Sequence, residues 1–505
     1  MKHLTKKLDW LTTLVPFLCI LFLCILFIAF PEGSSSVLGS IRFFLGDQFG
    51  SFYLLMGLGA LFCSLYAAFS RFGSIRLGGG QPPRYSNLQW GSMMFTAGLA
   101  ADILFYSLCE WMLYAGEPHI SDMGSVQDWV SVYPLFHWGP IPWSFYIILA
   151  VAFGFMLHVR KQNRQKYSEA CRPVLGKRVD GVLGRIIDLT AVFALLAGTA
   201  TTFSLATPLL SMALSRVTGI PETPAFTIAI LIAICIVYTM AVYFGMKGVA
   251  RLASSCVGLF FVLLAYFFFG GGEMRYIAET GLTSLGNLFH NFIPLATWTD
   301  ALRTSSFPQN WTIFYWAYWM VWCVAAPFFI GSISRGRTVR QTILGGYGFG
   351  VGSTILSFII LGNESMGMQM AGKADFIAQY AKDGDLYGMI IAMIQKIPCA
   401  PLVLVVLLLT MIAFYATSFD SIALTVSCYS YRRLEEGQQP SKAIQLMWCL
   451  LLILLPIALV FSESSMSNLQ SVSIVAAFPI GMVILLIVAG FLKDAGAYLK
   501  EIKKK

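Results

Sequence analysis

The sequence is poor in charged residues. Of its 505 residues only 12% are charged, whereas 57% are hydrophobic and 14% are aromatic. An ordinary soluble protein has about 25% charged residues, so this composition excludes that class and predicts a membrane protein. The net charge of +9 does not indicate nucleic-acid binding, because the basic residues lie in the loops between apolar runs. No nucleic-acid partner is expected.

Clusters of reactive side chains are also scarce. The five histidines form no HExxH-like group, and the eleven cysteines fall mostly inside apolar runs without paired spacing. Cysteines placed in this way are more typical of small apolar residues than of disulfides or metal ligands. Neither a nucleophile–base pair nor a cofactor-binding glycine loop is present. We therefore expect neither an enzyme nor a bound metal or cofactor.

Unbroken apolar runs of about 20 residues, the length of a membrane-spanning helix, are abundant instead. We predict an all-α, polytopic protein with twelve transmembrane helices, near residues 11–30, 50–70, 89–115, 139–159, 184–212, 225–244, 252–270, 311–333, 344–363, 400–430, 443–462 and 471–492. Alternating the loops between the two sides puts most of the 34 lysines and arginines on the side of the N-terminus. Basic loops favour the cytoplasm, so both termini are expected there, with the protein in the cytoplasmic (inner) membrane.

The predicted eighth span contains the segment WTIFYWAYWMVW. Its rings at Trp311, Tyr315, Trp319 and Trp322 share one helix face. Trp319 and Trp322 lie roughly 12 to 17 Å along the axis from Trp311, near the middle of a ~30 Å hydrocarbon layer. An indole N–H finds no water at that depth unless the face borders a cavity, although large rings also serve as packing between helices. Several rings around one cavity form a site for a quaternary ammonium group.

The predicted third span carries an aspartate. The stretch from Thr96 to Asp102, TAGLAAD, is rich in small residues and allows either close helix approach or a local break. Asp102 lies roughly 20 Å from the cytoplasmic start of the span, where an ionised carboxylate costs several kcal/mol without a partner. It is either a functional residue or a protonated aspartate that bonds a neighbouring helix.

Further segments carry features that the spans alone do not explain. The segment FHWGPIPWSFY places Trp138, Trp143 and Tyr146 at the start of the fourth span, as an interfacial belt or as part of a box with the rings of the eighth span.

In the tenth span, Thr417 and Ser418 either bind an ion or form hydrogen bonds to helix carbonyls. Residues 271–310 are expected to form an external loop with an interfacial amphipathic helix, and residues 493–505 a short basic cytoplasmic tail.

The chain resembles the betaine/choline/carnitine transporter family over nearly its whole length. The resemblance rests on FPQNWTIFYWAYWMVW followed by ISRGRTVR, on HWGPIPWSFY and, more weakly, on GLAAD and ATSFDS. It implies a LeuT-like fold with two inverted repeats of five spans, residues 89–270 (spans 3–7) and 311–492 (spans 8–12). Residues 1–88 would add two N-terminal spans. It also implies a homotrimer.

The resemblance further implies roles for single residues. The substrate site would comprise the aromatic box and its neighbouring rings, Trp138, Trp143, Tyr146, Tyr318, Trp319 and Trp322. A sodium site, if present, would involve Thr96, Leu99, Phe414, Thr417 and Ser418.

Departures from the family pattern discriminate among its members. Sodium-coupled betaine importers of the family have glycine at the position of Asp102, whereas proton-coupled choline transporters have aspartate. Sodium-independent carnitine exchangers have arginine and methionine where this chain has Cys256 and Ala326. These differences favour proton coupling through Asp102 and do not support exchange.

The expected function is therefore secondary active import of a trimethylammonium compound by alternating access. The candidates are choline, glycine betaine and carnitine, with choline slightly favoured and a proton as the coupling ion. The alternatives are a sodium-coupled betaine symporter and a carnitine/γ-butyrobetaine exchanger. A cation channel is a more distant alternative.

Overall fold

The computed structural model describes residues 8–98, 100–162, 164–244, 246–432, 434, 440–461 and 466–504. Within these residues the regular structure is helical, and β-structure is limited to two isolated bridges, Leu8–Tyr431 and Arg76–Thr338. The predicted all-α class is confirmed.

The N-terminal half forms fourteen α-helices: α1 (Trp10–Ala29), α2 (Pro31–Arg42), α3 (Gly50–Phe69), α4 (Asn87–Thr96), α5 (Ala101–Ala115), α6 (Pro118–Met123), α7 (Val126–Trp129), α8 (Val132–His137), α9 (Pro140–His158), α10 (Tyr167–Ala170), α11 (Arg172–Leu175), α12 (Val182–Thr218), α13 (Pro224–Phe244) and α14 (Met246–Gly270). Short non-α turns cover Phe43–Gln48, Arg71–Ser74 and Gly176–Asp180.

The C-terminal half adds eleven α-helices: α15 (Met274–Thr297), α16 (Ile313–Trp322), α17 (Ala326–Ile333), α18 (Val339–Gly345), α19 (Gly352–Ser357), α20 (Asn363–Met370), α21 (Phe376–Asp383), α22 (Leu386–Lys396), α23 (Ala400–Tyr429), α24 (Lys442–Phe461) and α25 (Met466–Lys503). π-helical turns at Pro308–Thr312, Gly346–Val351 and Phe358–Gly362 adjoin helices of this half.

The helices account for a multi-pass membrane protein. Among the described residues, seven helical stretches are long and apolar enough to cross a membrane, and counting each of three bent pairs as one span gives ten. The predicted sixth and tenth spans coincide with α13 and α23. The number twelve stays a prediction.

Two predicted spans are broken rather than continuous. In the third, α4 and α5 meet at 62° across Ala97–Ala100, a break that includes Leu99, which lies outside the described residues. The break is one of the two alternatives that the small residues predicted. In the eighth, α16 and α17 meet at 56°, and a proline in the first turn of α17 favours a new helix start there. Of the four predicted rings, Tyr315, Trp319 and Trp322 lie in α16, and Trp311 lies in the preceding π-turn.

The segments predicted to lie outside the spans are also helical. Helix α15 turns by 107° from α14, and its interfacial position stays a prediction. Helix α25 continues through the predicted tail to Lys503, so the tail is not a separate segment. Arg160 binds this extension, with 2.6 Å from Nη2 to Oδ1 of Asp494 and 2.9 Å from Nη1 to Oε2 of Glu501.

A close helix contact joins α9 to α17. A Cβ added at Gly331 would lie 2.7 Å from the carbonyl oxygen of Ala150 and 2.9 Å from the backbone nitrogen of Gly154. The two helices therefore touch backbone to backbone, which small residues permit in membrane proteins. This contact fixes the helix that carries two rings of the site described below.

We expect Gly331→Ala to destabilise the protein, because the new methyl group has no space between α17 and α9. Overpacking of this kind costs about 1–3 kcal/mol, which lowers the melting temperature of a chain of this length by about 1–3 °C. Thermal unfolding in detergent measures the change, with Gly59→Ala as the matched control, since a Cβ at Gly59 meets no atom within 4 Å. Equal melting temperatures for the two variants would contradict the packing described here.

Candidate functional site

Four predicted site rings form one buried cluster. The ring centroid of Trp319 on α16 lies 5.6 Å from that of Trp138, 5.5 Å from that of Trp143 and 4.7 Å from that of Tyr146. None of the four residues is more than 6% exposed. The structure thus brings together the residues that the family resemblance assigns to the aromatic box. Their role in binding stays a prediction.

The local sequence explains the position of Trp143. Helix α9 begins with proline, and the indole lies one turn later, where its edge fills the space beside two glycines. A Cβ at Gly98 would lie 2.4 Å from the ring, and one at Gly350 would lie 2.5 Å from it. The Nε1 atom donates to Oγ1 of Thr354 at 3.2 Å. Glycine in the broken third span therefore makes room for a ring of the cluster.

The rings of the cluster are in mutual contact. Centroid distances of 4.7 to 5.6 Å are contact distances for tilted and edge-to-face rings. A cation that contacts several ring faces must lie within about 6 Å of each centroid, a condition that rings this close to Trp319 can meet together.

Three indoles of α16 have a buried Nε1 atom without a hydrogen-bond partner among the described residues: those of Trp316, Trp319 and Trp322. The first packs against Gly57 of α3. A buried donor without a partner costs about 1–3 kcal/mol, so the N–H of Trp319 in the ring cluster would favour an acceptor on a bound molecule. Trp322 faces α12, where a Cβ at Gly198 would lie 3.2 Å from its Nε1. Among the described ring pairs, Trp322 makes no contact with the four-ring cluster.

Asp102 lies beside the cluster and is bound to the same helix. The hydroxyl of Tyr318 donates to its Oδ2 at 2.5 Å and also contacts the hydroxyl of Thr202. Its Oδ1 is buried and makes no hydrogen bond with a described residue. Asp102 is in the first turn of α5, where the helix dipole favours a negative charge, and it lies within electrostatic range of Tyr146. Tyr318 thus binds the carboxylate, and its predicted place next to the box stays a prediction.

The described part of the chain includes only some of the candidate sodium-site residues. The hydroxyl of Thr96 donates to the carbonyl oxygens of Ser92 and Met93 at 3.1 and 3.3 Å, within α4. Phe414 packs on a phenylalanine of α14, and Ser418 is half-buried. Leu99 and the side chain of Thr417 lie outside the described residues. This site stays a prediction.

The sequence analysis missed a second buried carboxylate. Glu110 is 1% exposed, and its Oε2 accepts from Nε1 of Trp138 at 2.7 Å. Its Oε1 lies 3.6 Å from Nδ1 of the fully buried His137. The signal was present, because an ionisable residue within a membrane span is a functional candidate by the same argument that singled out Asp102.

The fold and site together define a class of protein. A multi-pass helical membrane protein in which two broken spans present aromatic rings and a carboxylate to one buried place has the organisation of a secondary transporter.

Comparison with known proteins defines the family. The family model described as "BCCT, betaine/carnitine/choline family transporter" matches residues 11–499, so the chain belongs to this family. It is 28% identical to a carnitine transporter of Acinetobacter baumannii over 87% of this chain and 80% of the relative. It is 28% identical to a glycine betaine transporter of Bacillus subtilis over 94% and 92%. It is also 28% identical to a high-affinity choline transport protein of Escherichia coli K12, over 94% and 70%. The predicted family is confirmed, and its members are transporters rather than enzymes.

A solved structure is also similar. The chain matches a substrate-bound, outward-open sodium-coupled sialic acid symporter at 15% identity and a TM-score of 0.43, over 90% of this chain and 86% of that one. The two inverted repeats and their boundaries stay a prediction.

We expect Gly350→Ala to impair transport, because its Cβ would displace the Trp143 ring from the cluster. The measurement is uptake of whichever of betaine, carnitine or choline the wild type transports. Gly348→Ala is the matched control in the same π-turn, since a Cβ at Gly348 meets nothing within 4 Å. A displaced ring would reduce affinity by about tenfold, given that one ring contributes ~1–2 kcal/mol to cation binding. Equal uptake by both variants would refute the proposed constraint on the ring.

Proposed function

We propose that this protein imports a trimethylammonium compound across the cytoplasmic membrane by alternating access. Choline is favoured over glycine betaine and carnitine, and the driving ion is a proton. One observation carries the proposal: α16 places Trp319 in the ring cluster and binds Asp102 through the adjacent Tyr318. The same short helix therefore connects a site suited to a methylated cation with a buried carboxylate.

The rings match the chemistry of a quaternary ammonium group. Such a group has no N–H and cannot donate a conventional hydrogen bond, so carboxylates and carbonyls have no directional advantage in binding it. Ring faces carry negative electrostatic potential and tolerate methyl groups, and their attraction for a cation grows when water is excluded. The burial of Trp138, Trp143, Tyr146 and Trp319 provides that exclusion.

Asp102 favours choline among the three candidates. Choline is a cation without a carboxylate of its own, so one protein carboxylate neutralises it. Betaine and carnitine carry both charges, and their carboxylates would be repelled by an ionised Asp102 in a site of low dielectric constant. Oδ1 of Asp102 and the N–H of Trp319, which have no partner among the described residues, would serve the choline hydroxyl as acceptor and donor.

The same carboxylate supports proton coupling. An ionised carboxylate without a cation is costly in a membrane interior, so Asp102 is a buried group able to take up the coupling proton. Import driven by an inward proton gradient requires that this proton and choline enter together and that both are released inside. The alternative is sodium symport through the site of Thr96, Leu99, Phe414, Thr417 and Ser418.

The assembly and orientation also belong to the proposal. The family resemblance supports a homotrimer with a LeuT-like fold of two inverted repeats. The concentration of lysines and arginines in alternate loops supports cytoplasmic termini.

Trp319→Ala should lower the affinity for choline at least ~30-fold, because a ring over a desolvated cation contributes about 2 kcal/mol. Trp319→Phe should retain part of it. Calorimetric titration of purified protein with choline, betaine and carnitine makes the measurement. Trp448→Phe is the control, since Trp448 is equally buried and donates to Ser430 at 2.7 Å in another part of the fold. Unchanged affinity of Trp319→Ala for all three compounds would overturn the proposed site.

Asp102→Asn should abolish accumulation driven by a proton gradient. It should also shift the choline-to-betaine affinity ratio toward betaine by about tenfold, because the charge that neutralises choline is removed. Proteoliposomes under separately imposed proton and sodium gradients test the first effect, and calorimetry tests the second. Asp128→Asn, in the short helix α7, is the control. Stimulation of the wild type by sodium alone would exclude proton coupling, and flux insensitive to either gradient would indicate a channel.

A further inference from the structure

A continuous hydrogen-bonded chain lies behind Trp138. The hydroxyl of Tyr114 donates to Oε1 of Glu110 at 2.6 Å and lies 2.9 Å from Nδ1 of His137. The Nε2 atom of His137 lies 3.0 Å from Oγ1 of Thr312. All these residues are at most 3% exposed. The chain runs from the π-turn before α16 to the carboxylate that holds a box indole.

The donors and acceptors fix the direction of the chain when Glu110 is ionised. The single proton of Tyr114 is donated to Glu110, so Nδ1 of His137 must carry the proton that the Tyr114 oxygen accepts. The Nε2 atom of His137 is then an acceptor for the hydroxyl of Thr312. Every member is satisfied, and the indole N–H of Trp138 donates to the second carboxylate oxygen.

The same chain can hold one added proton without losing a hydrogen bond. If Glu110 is protonated, its O–H donates to Tyr114, the Tyr114 hydroxyl donates to Nδ1, and Nε2–H donates to Thr312. If His137 is protonated instead, both ring nitrogens donate and Glu110 remains ionised. In each state the Trp138 N–H keeps a carboxyl oxygen as acceptor. Only the net charge next to the ring cluster differs.

The surroundings leave this charge uncompensated by a fixed cation. The titratable groups near Glu110 are Tyr106, Cys109 and Tyr114 on its own helix, His137 at the end of α8, and Tyr315, which stacks on His137 from α16. Tyr380 and Tyr387 approach Cys109 from α21 and α22. Asp102 lies two helical turns away in α5. Among the described residues, Glu110 forms no ion pair with lysine or arginine.

The outer end of the chain lies near the protein surface. Thr312 is buried, but Asn310, two residues earlier in the same π-turn, is exposed. The predicted topology puts this turn on the external side of the membrane.

We propose that Glu110 and His137 form a second proton-binding site that positions Trp138 and sets the affinity of the ring cluster for its cation. This inference rests on the proposed function. Only the indole of Trp138 would separate the Glu110 carboxylate from the bound cation. The hydrogen-bonded chain therefore attracts the cation when Glu110 is ionised and attracts it less when the chain holds a proton. Binding of the cation to the protonated form releases that proton toward Thr312. Affinity for choline therefore falls on acidification even when Asp102 is neutral.

Glu110→Gln tests the charge while preserving the geometry. The glutamine carbonyl accepts from Trp138, and its NH₂ donates to Tyr114, so the variant imitates the protonated form. Without the carboxylate, a buried imidazolium at His137 would have no counter-ion and is disfavoured. We expect choline affinity about tenfold weaker, because one charge near the cation is lost. Glu110→Leu removes the acceptor as well, and we expect a larger loss that Glu110→Gln partly rescues.

The decisive measurement is the affinity for choline at several pH values between about 5 and 8. It compares the Asp102→Asn protein with the Asp102→Asn/Glu110→Gln protein. We expect acidification to weaken binding in the first protein and not in the second. Protons released per choline bound, measured in weakly buffered solution for wild type and Glu110→Gln, provide an independent readout if the double variant binds poorly. Release should decrease in Glu110→Gln.

Two further variants distinguish the effect of protonating the Glu110–His137 chain from a general loss of packing. Tyr114→Phe interrupts the chain but leaves the bond from Trp138 to Glu110, and we expect it to reduce the pH response. Ser365→Ala removes the acceptor of the buried Trp111 indole on the same helix, 2.7 Å away, and should leave the affinity and its pH dependence unchanged. An unaltered pH slope and unaltered proton release in Glu110→Gln, with choline still bound, would overturn this inference alone. Failure of the wild type to bind any trimethylammonium compound would overturn the proposed function.

Discussion

The hydrogen bond from Tyr318 to Asp102 joins the two broken spans of the protein. It connects α16 to the first turn of α5, directly after the break in the third span. A carboxylate inside a membrane needs such a partner, because water is absent and an isolated charge is costly. Among the described residues, the other carboxylate oxygen has no hydrogen-bond partner. The arrangement is therefore stable enough to exist without substrate, yet retains an acceptor for one.

The two buried carboxylates of α5 differ in their surroundings. Glu110 is bonded on both oxygens and supports Trp138, which is one wall of the ring cluster. Asp102 is bonded on one oxygen and lies on the side of Tyr318. A cation among the rings would lie between Asp102, which would contact it, and Glu110, which would act on it through the indole of Trp138. The proposed coupling residue and the proposed positioning residue thus lie on one helix, two turns apart.

The sequence predicted the membrane class, the family and the ring residues, because apolar runs and aromatic motifs are local features. It did not predict the constraints that arise from chain segments distant in sequence. The glycines that admit the Trp143 ring come from residues 98 and 350, and only the folded structure brings them together. The end of α16 at Trp322 was also missed, since the hydrophobic pattern continues through it. Glu110 was different: its charge was visible in the sequence, but its partners His137 and Trp138 were not.

The backbone contact between Gly331 and Ala150 has a mechanical consequence. It couples α17 to α9, the helix that carries Trp143 and Tyr146. Trp319 belongs to the adjacent α16, which is connected to α17 by the short turn at Cys323–Ala325 and packs on both rings. A change of the angle at that turn would therefore move Trp319 relative to the other two rings.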